Sequence, residues 1–401
     1  MAVGDYTTDF LPVPGVRLAS VACGIKGDGK IDLVLFEFEP GSITAGIFTQ
    51  SHFAAAPVEV CRAHLKERSS RYFLVNSGNA NAATGEIGRS DALGCCRALS
   101  QQTGALPEEI LPFSTGVIGE RLQVENITNA MPSLGEGLSA DNWLEAAQGI
   151  MTTDTRPKIG SRQFEVEGKT LTITGIAKGA GMIQPNMATL LVYVATDAVV
   201  TEPVLSQMLK DAADCSFNRI TVDSDTSTND SCMLTATGVS LVPCVEGEAA
   251  AALQSALSSL MQELAHGIIR DAEGATKFLT VQVNGGQTAA DCLSIAYAIA
   301  NSPLVKTALF AADANWGRIV MAIGKADATV VPSKLDVFLD EVQLMEAGGK
   351  KEGYVEELGA AVMARDEITI RVELNLGEAS ETVWTSDLSH DYVSINADYR
   401  S

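Results

Sequence analysis

The sequence contains no run approaching eighteen apolar residues, so it offers no membrane-spanning helix. It does not open as a secretory signal would: MAVGDYTTDFLPVPG carries an acidic residue and early prolines and no basic-then-apolar pattern. Positive charge is scarce. Lys and Arg number 28 against 50 Asp and Glu, a formal charge of -22 that repels nucleic-acid phosphates and anionic membranes and argues against a polyanionic partner. A pocket's field depends on its own few residues, so small anionic substrates stay admissible. The eight cysteines, Cys23, Cys61, Cys95, Cys96, Cys215, Cys232, Cys244 and Cys292, include no CxxC pair and have no histidine at ligand spacing, and His52, His64, His266 and His390 are scattered. The thiols read as reduced and mostly buried. The cluster DSDTSTNDS at 223–231 lacks the glycine and terminal glutamate of an EF-hand and reads as a polar loop between strands. Gly179 and Gly181 are followed by no Walker or dinucleotide pattern. No metal and no cofactor is implied, and a cytoplasmic protein is expected. Repeats, low-complexity tracts and long linkers are missing as well.

What is present is a 401-residue chain, 46% hydrophobic, able to bury an ordinary core and long enough for two domains. Strand-like and helix-like stretches alternate throughout, which favours a mixed α/β fold. Phe164 to Val166 and Leu171 to Ile173 flank Glu167-Gly168-Lys169 as a hairpin, and Ile368, Ile370, Val372 and Leu374 alternate with polar residues as a strand with one wet face. Leu253, Leu257, Leu260 and Leu264 recur at helical spacing, and 203–214 and 290–300 also read as helices. Glycine-containing segments near Asn76, Thr115, Lys178 and Gly348 punctuate the chain, and the first three read as loops suited to chemistry.

From residue 178 the chain reads KGAGMIQPNMATLLVYVATDA, a loop of small residues running through Pro185 to Thr189 and into the apolar strand 190–194. A threonine that begins a strand is ordinary β-sheet chemistry. The same place also suits an N-terminal nucleophile, because cutting the Ala188–Thr189 bond gives one residue both a hydroxyl and an α-amine. That amine titrates near pH 7.7 to 8.0 in model compounds, so an appreciable fraction is free at neutral pH to take the hydroxyl proton.

The string KGAGMIQPNMATL resembles the cleavage-site signature of the glutamate N-acetyltransferases, also called ornithine acetyltransferases, in which the threonine after Met-Ala is the nucleophile. Gln184 and Leu191 depart from the expected pattern without removing a group the chemistry needs. The likeness continues in order along the chain: NSGNANA at 76–82, LPFSTGVIGE at 111–120, MTTDTRPK at 151–158, RDAEGATK at 270–277, DANWGRI at 313–319 and the ending YVSINADYRS. Ala272 stands where a glycine is expected, and Ser401 where threonine is commoner, though it keeps the hydroxyl.

The resemblance implies an αββα sandwich of the self-processing aminopeptidase type with a smaller second α/β domain. It implies cleavage into chains 1–188 and 189–401, with the sandwich built from both, the smaller domain from the second, and an α2β2 assembly. Thr189 then carries an acetyl group from N-acetylornithine to glutamate by ping-pong chemistry, releasing ornithine and then N-acetylglutamate in arginine biosynthesis. Thr115 and Gly116 become the oxyanion hole, although Ser-Thr-Gly is also an ordinary loop sequence. Thr152, Lys178, Thr189, Glu273, Asn396 and Ser401 become the substrate-binding set, with Thr153 a competing alignment for Thr152. Lys178 and Glu273 otherwise read as solvated surface charges, and Asn396 and Ser401 as a frayed terminus. Whether acetyl-CoA is a second donor is undecided by any motif. Two rivals stay open: an amidase or aminopeptidase on the same fold with water as acceptor, and a non-catalytic metabolite-binding protein.

Overall fold

The computed structural model describes residues 2–27, 29–184 and 190–398. The chain forms two units, one of residues 6–218 and 225–268, the other of residues 2–5, 219–224 and 269–398.

The larger unit contains two sheets, with strands numbered in chain order. The first has the order β1 (Val16–Val21), β2 (Leu33–Phe38), β4 (Tyr72–Asn79), β5 (Ile110–Val117), and only β4 and β5 run parallel. The second has the order β3 (Ile43–Phe48), β10 (Ser231–Ala236), β8 (Leu191–Thr196), β7 (Lys169–Lys178), β6 (Lys158–Val166). Strands β2, β4, β5 and β8 are buried along nearly their whole length because both faces are covered, whereas the edge strand β6 is partly exposed. Along β2, Val34, Phe36 and Phe38 point between the sheets while Leu33 and Leu35 point outward; β4 divides Phe73 and Val75 from Tyr72 and Leu74 in the same way. The outward residues pack on the helices Ala56–Glu67, Gly85–Thr103 and Val124–Glu136. Leu260 and Leu264 of the long helix Gly247–Arg270 lie over Gly160 and Gly175 on the outer face of the second sheet. Helix, sheet, sheet, helix is therefore the layer order, the αββα sandwich that the resemblance implied.

The two sheets are joined by aromatic rings. Tyr193 of β8 lies 5.0 Å from Phe36 and 5.1 Å from Phe113, ring centre to ring centre, in the same core as Trp143. Such pairs add about 0.5 to 1.5 kcal/mol each beyond the area they bury.

The smaller unit is a mixed α/β domain around a seven-stranded sheet ordered β14 (Gly349–Lys350), β13 (Val342–Glu346), β12 (Asp336–Leu339), β15 (Glu367–Glu373), β11 (Phe278–Gly286), β16 (Ala379–Ser386), β9 (Ile220–Thr221). β15 buries Ile368, Ile370 and Val372 and leaves Thr369 and Arg371 partly exposed, the alternation read from the sequence. Helices 289–300 and 316–324 supply Ile295, Ile299, Ile319 and Ile323 to the same core. Among the described residues no single helix is long and apolar enough to cross a membrane.

Candidate active site

Three of the segments expected as loops are strand ends instead. Asn76 lies in β4, Thr115 and Gly116 in β5, and Lys178 closes β7. Their strands are buried on both faces, so no polar alternation in the sequence announces where a strand ends. Because β4 and β5 are parallel, their carboxyl ends reach the same edge, with Ser77 opposite Thr115 and Gly78 opposite Gly116.

Gly116 is required there. Its φ is +134°, and a Cβ would fall 2.2 Å from the carbonyl carbon of Gly78 and 2.6 Å from the nitrogen of Asn79. Only a residue without a side chain lets the two backbones approach so closely at a conformation L-residues avoid. Side chains brace the same end: Asn76 donates to Asn79 O at 2.8 Å, and Ser114 Oγ donates to Asn76 Oδ1 at 2.5 Å.

Lys178 donates from Nζ to Thr115 Oγ1 at 3.2 Å, so these two are in contact. Behind them is a buried carboxylate. Asp154 accepts the Gly179 N–H at 2.7 Å and Lys158 Nζ at 2.5 Å on one oxygen, and the Thr152 N–H at 3.0 Å on the other. Burial opposes its charge, but Lys158 and Lys178 more than offset that and hold the carboxyl well below the usual range. A further lysine shares this field: burial pushes Lys26 down to about 8, despite Asp32 and Asp154, while Lys178 and Lys30 push the same way as burial. One edge of the sandwich thus collects Thr115, Gly116, Lys178 and the Thr152 backbone around a locally cationic spot in an acidic protein.

Two connections lead from this edge to Leu190 and Leu191, the first described residues after Gln184. Lys178 is the cross-strand partner of Leu191. Asn229, buried just before β10, donates to Ser114 O at 2.8 Å and Ala80 O at 2.6 Å, and two residues on the Ser231 N–H bonds Leu190 O at 3.0 Å. Thr189 and Ala188, the expected nucleophile and cleavage position, lie outside the described residues, as does Ser401.

In the smaller unit, Glu273 and Asn396 meet: Asn396 Nδ2 donates to Glu273 Oε2 at 2.7 Å. Glu273 is only 8% exposed, so it is no solvated surface charge, and Asn396 sits in the regular helix His390–Ala397. Gly274 permits that approach, since a Cβ on it would lie 2.5 Å from Ser389 Oγ and 2.6 Å from Tyr392 N, and Ser389 Oγ donates to Gly274 O at 2.6 Å.

The buried thiols are poor nucleophiles. Six of the eight are buried, and burial pushes Cys95 and Cys232 up to about 12.

A sequence profile of the ArgJ family matches residues 17–401. The arginine biosynthesis bifunctional protein ArgJ of Pseudomonas syringae pv. tomato is 52% identical over 406 aligned positions, which cover all of both chains. Among solved structures, the arginine biosynthesis bifunctional protein ArgJ of Bacillus halodurans matches with 36% identity and a TM-score of 0.48, covering 50% of this chain and 95% of that one. An ornithine acetyltransferase of Mycobacterium tuberculosis, solved in complex with ornithine, matches with 35% identity and a TM-score of 0.38, covering 44% of this chain and 93% of that one.

Proposed function

The chain belongs to the ArgJ family, and on that premise we propose that it is a self-cleaving acetyltransferase of arginine biosynthesis that moves the acetyl group of N-acetylornithine to glutamate through an ester on Thr189. Maturation comes first. Thr189 Oγ attacks the Ala188 carbonyl, the peptide C–N bond breaks as the amine takes a proton, and water opens the resulting ester to leave chains of 188 and 213 residues. The freed α-amine then serves as base when the same oxygen attacks the acetyl carbonyl. Ornithine leaves with a proton, and glutamate's amine removes the acetyl group in the second half-reaction.

Each step passes through a tetrahedral oxyanion that needs fixed donors. Thr115 Oγ1 and the Gly116 N–H fill that role. A lysine ammonium can only donate, so Thr115 accepts from Lys178 and keeps its own hydrogen for the oxyanion. The observation that carries the reading is the double connection of this donor pair, through Lys178 to Leu191 and through Asn229 and Ser231 to Leu190, with the described residues that follow the cleavage position. Lys178 is suited to the α-carboxylate of the substrates. Glu273 and Asn396, already paired, are suited to their amines, with Thr152 and Ser401 completing the binding set. The chains stay together because β7 and β8, one on each side of the cut, are paired from Ile173–Thr196 to Lys178–Leu191, and we propose an α2β2 assembly.

Intact mass under denaturing conditions, wild type beside Thr189→Ala, tests this first. Two species split between Ala188 and Thr189 in the wild type and one in the variant are expected. An unbroken wild type sinks the mechanism. Acetate released from N-acetylornithine as fast without glutamate as with it would make the enzyme a hydrolase, and parallel assays with acetyl-CoA decide whether there is a second donor.

A further inference from the structure

The site described above contains more buried charge than substrate binding and oxyanion stabilisation use. The Asp154 side chain is 0% exposed and that of Lys158 3% exposed. Sealing an ion pair from water costs about as much as its attraction returns, and apolar replacements of such pairs are often neutral or stabilising. Stability therefore does not explain why this one is here.

Its contacts do. Asp154 Oδ1 takes the Gly179 N–H at 2.7 Å, while Lys158 Nζ, bonded to that same oxygen, donates onward to Gly179 O at 3.2 Å. One ion pair thus grips the residue after Lys178 by both its amide hydrogen and its carbonyl. Lys158 is itself fixed in β6 opposite Ala177, the residue before Lys178. The other oxygen of Asp154 holds the Thr152 N–H.

We infer that the Asp154–Lys158 pair is a positioning device for the oxyanion hole: it fixes where β7 ends, and so where Lys178 lays its ammonium on Thr115. Neither residue touches the reacting atoms. The pair acts through Lys178, and through Thr152 it ties the substrate-binding segment to the same hub. The inference rests on Thr115 serving as the oxyanion donor.

The test compares the full-length wild type with Asp154→Asn and with the double variant Asp154→Asn, Lys158→Met. The double change removes the pair as a unit and so avoids stranding a buried lysine. Chain cleavage, thermal midpoint, the number of sites that take up labelled acetyl from N-acetylornithine, and kcat and KM per acetylated site are measured for each. In a folded variant, kcat per site should fall about 100-fold, the cost of a misplaced donor, with KM rising by a smaller factor because Lys178 and Thr152 also serve in binding. A folded chain that cleaves itself at least about tenfold more slowly is the same result read on the first acyl transfer. A kcat per site equal to wild type overturns the inference whatever the thermal midpoint does. So does a rise in KM alone, and so does a double variant that fails to fold, which would make the pair a requirement of the fold. A wild-type chain that neither cleaves nor transfers acetyl overturns the enzymatic reading instead, which distinguishes the two failures.

Discussion

At the scale of single residues, the oxyanion pair makes separable demands. Thr115 must supply a hydroxyl and Gly116 must lack a side chain. Thr115→Ala should lower kcat by about 100- to 1,000-fold, the usual cost of losing one such donor, while Thr115→Ser should retain most of it. Gly116→Ala keeps the N–H yet drives a Cβ into Gly78, so it should destabilise the chain and slow cleavage as well. Rates of acetyl transfer for the three variants, with unfolding curves, check this; equal activity in the Ala and Ser variants at 115 would remove the threonine from the mechanism. Much of this site was legible in the sequence, because the segments around Asn76, Thr115 and Lys178 are short, glycine-containing and ordered as in a known family. Nothing in the sequence singles out Asp154. A carboxylate is ordinarily exposed, and nothing in MTTDTRPK announces that Lys158, four residues on and in a strand rather than a helix, reaches back to it. Asn229 is hidden for a similar reason, since its partners Ala80 and Ser114 are more than a hundred residues away.

Elements were easier to read than their ends. The Glu167-Gly168 hairpin and the leucine-spaced helix are present as their patterns indicate. The strands that carry the site have apolar residues on both faces, which hides that Asn76 and Thr115 still lie within a strand and that Lys178 closes one. Close packing of a helix on a sheet is equally invisible in sequence. Gly175 of β7 has Val194 Cγ2 3.0 Å and Leu264 Cδ1 3.1 Å from the place a Cβ would occupy, so the helix Gly247–Arg270 rests directly on the sheet there. Gly175→Ala should therefore cost about 1 to 3 kcal/mol by overpacking, even though the strand conformation itself favours alanine over glycine. Urea unfolding of the two proteins measures it. A gain in stability would mean that the helix can shift outward freely and is not seated as described.

The pH dependence of unfolding belongs to the folded chain as a whole, and one buried group in the smaller unit gives it a predictable component. Lys306 is 3% exposed, donates to Thr385 Oγ1 at 2.8 Å and also to Ser386 O, and has Asp387 and Asp223 as its charged neighbours. Burial pushes its pKa from 10.5 down to about 8, and the two carboxylates only partly oppose that. The sign follows from proton counting. Below about pH 8 the lysine is charged in both states, and the cost of burying that charge is constant. Between about pH 8 and 10.5 the unfolded chain holds a proton that the folded chain has released, so unfolding takes up a proton and stability from this group rises with pH. Many other groups titrate in that window, including thiols and tyrosines whose pKa burial has raised, but they are common to wild type and Lys306→Met and cancel in the difference. Losing the donor to Thr385 and Ser386 adds only a constant offset. Urea unfolding at a series of pH values should therefore show the wild type gaining on Lys306→Met from pH 8 upward and running parallel to it below. Parallel curves throughout would mean that the folded protein keeps Lys306 charged across the whole range, with Asp387 and Asp223 outweighing burial.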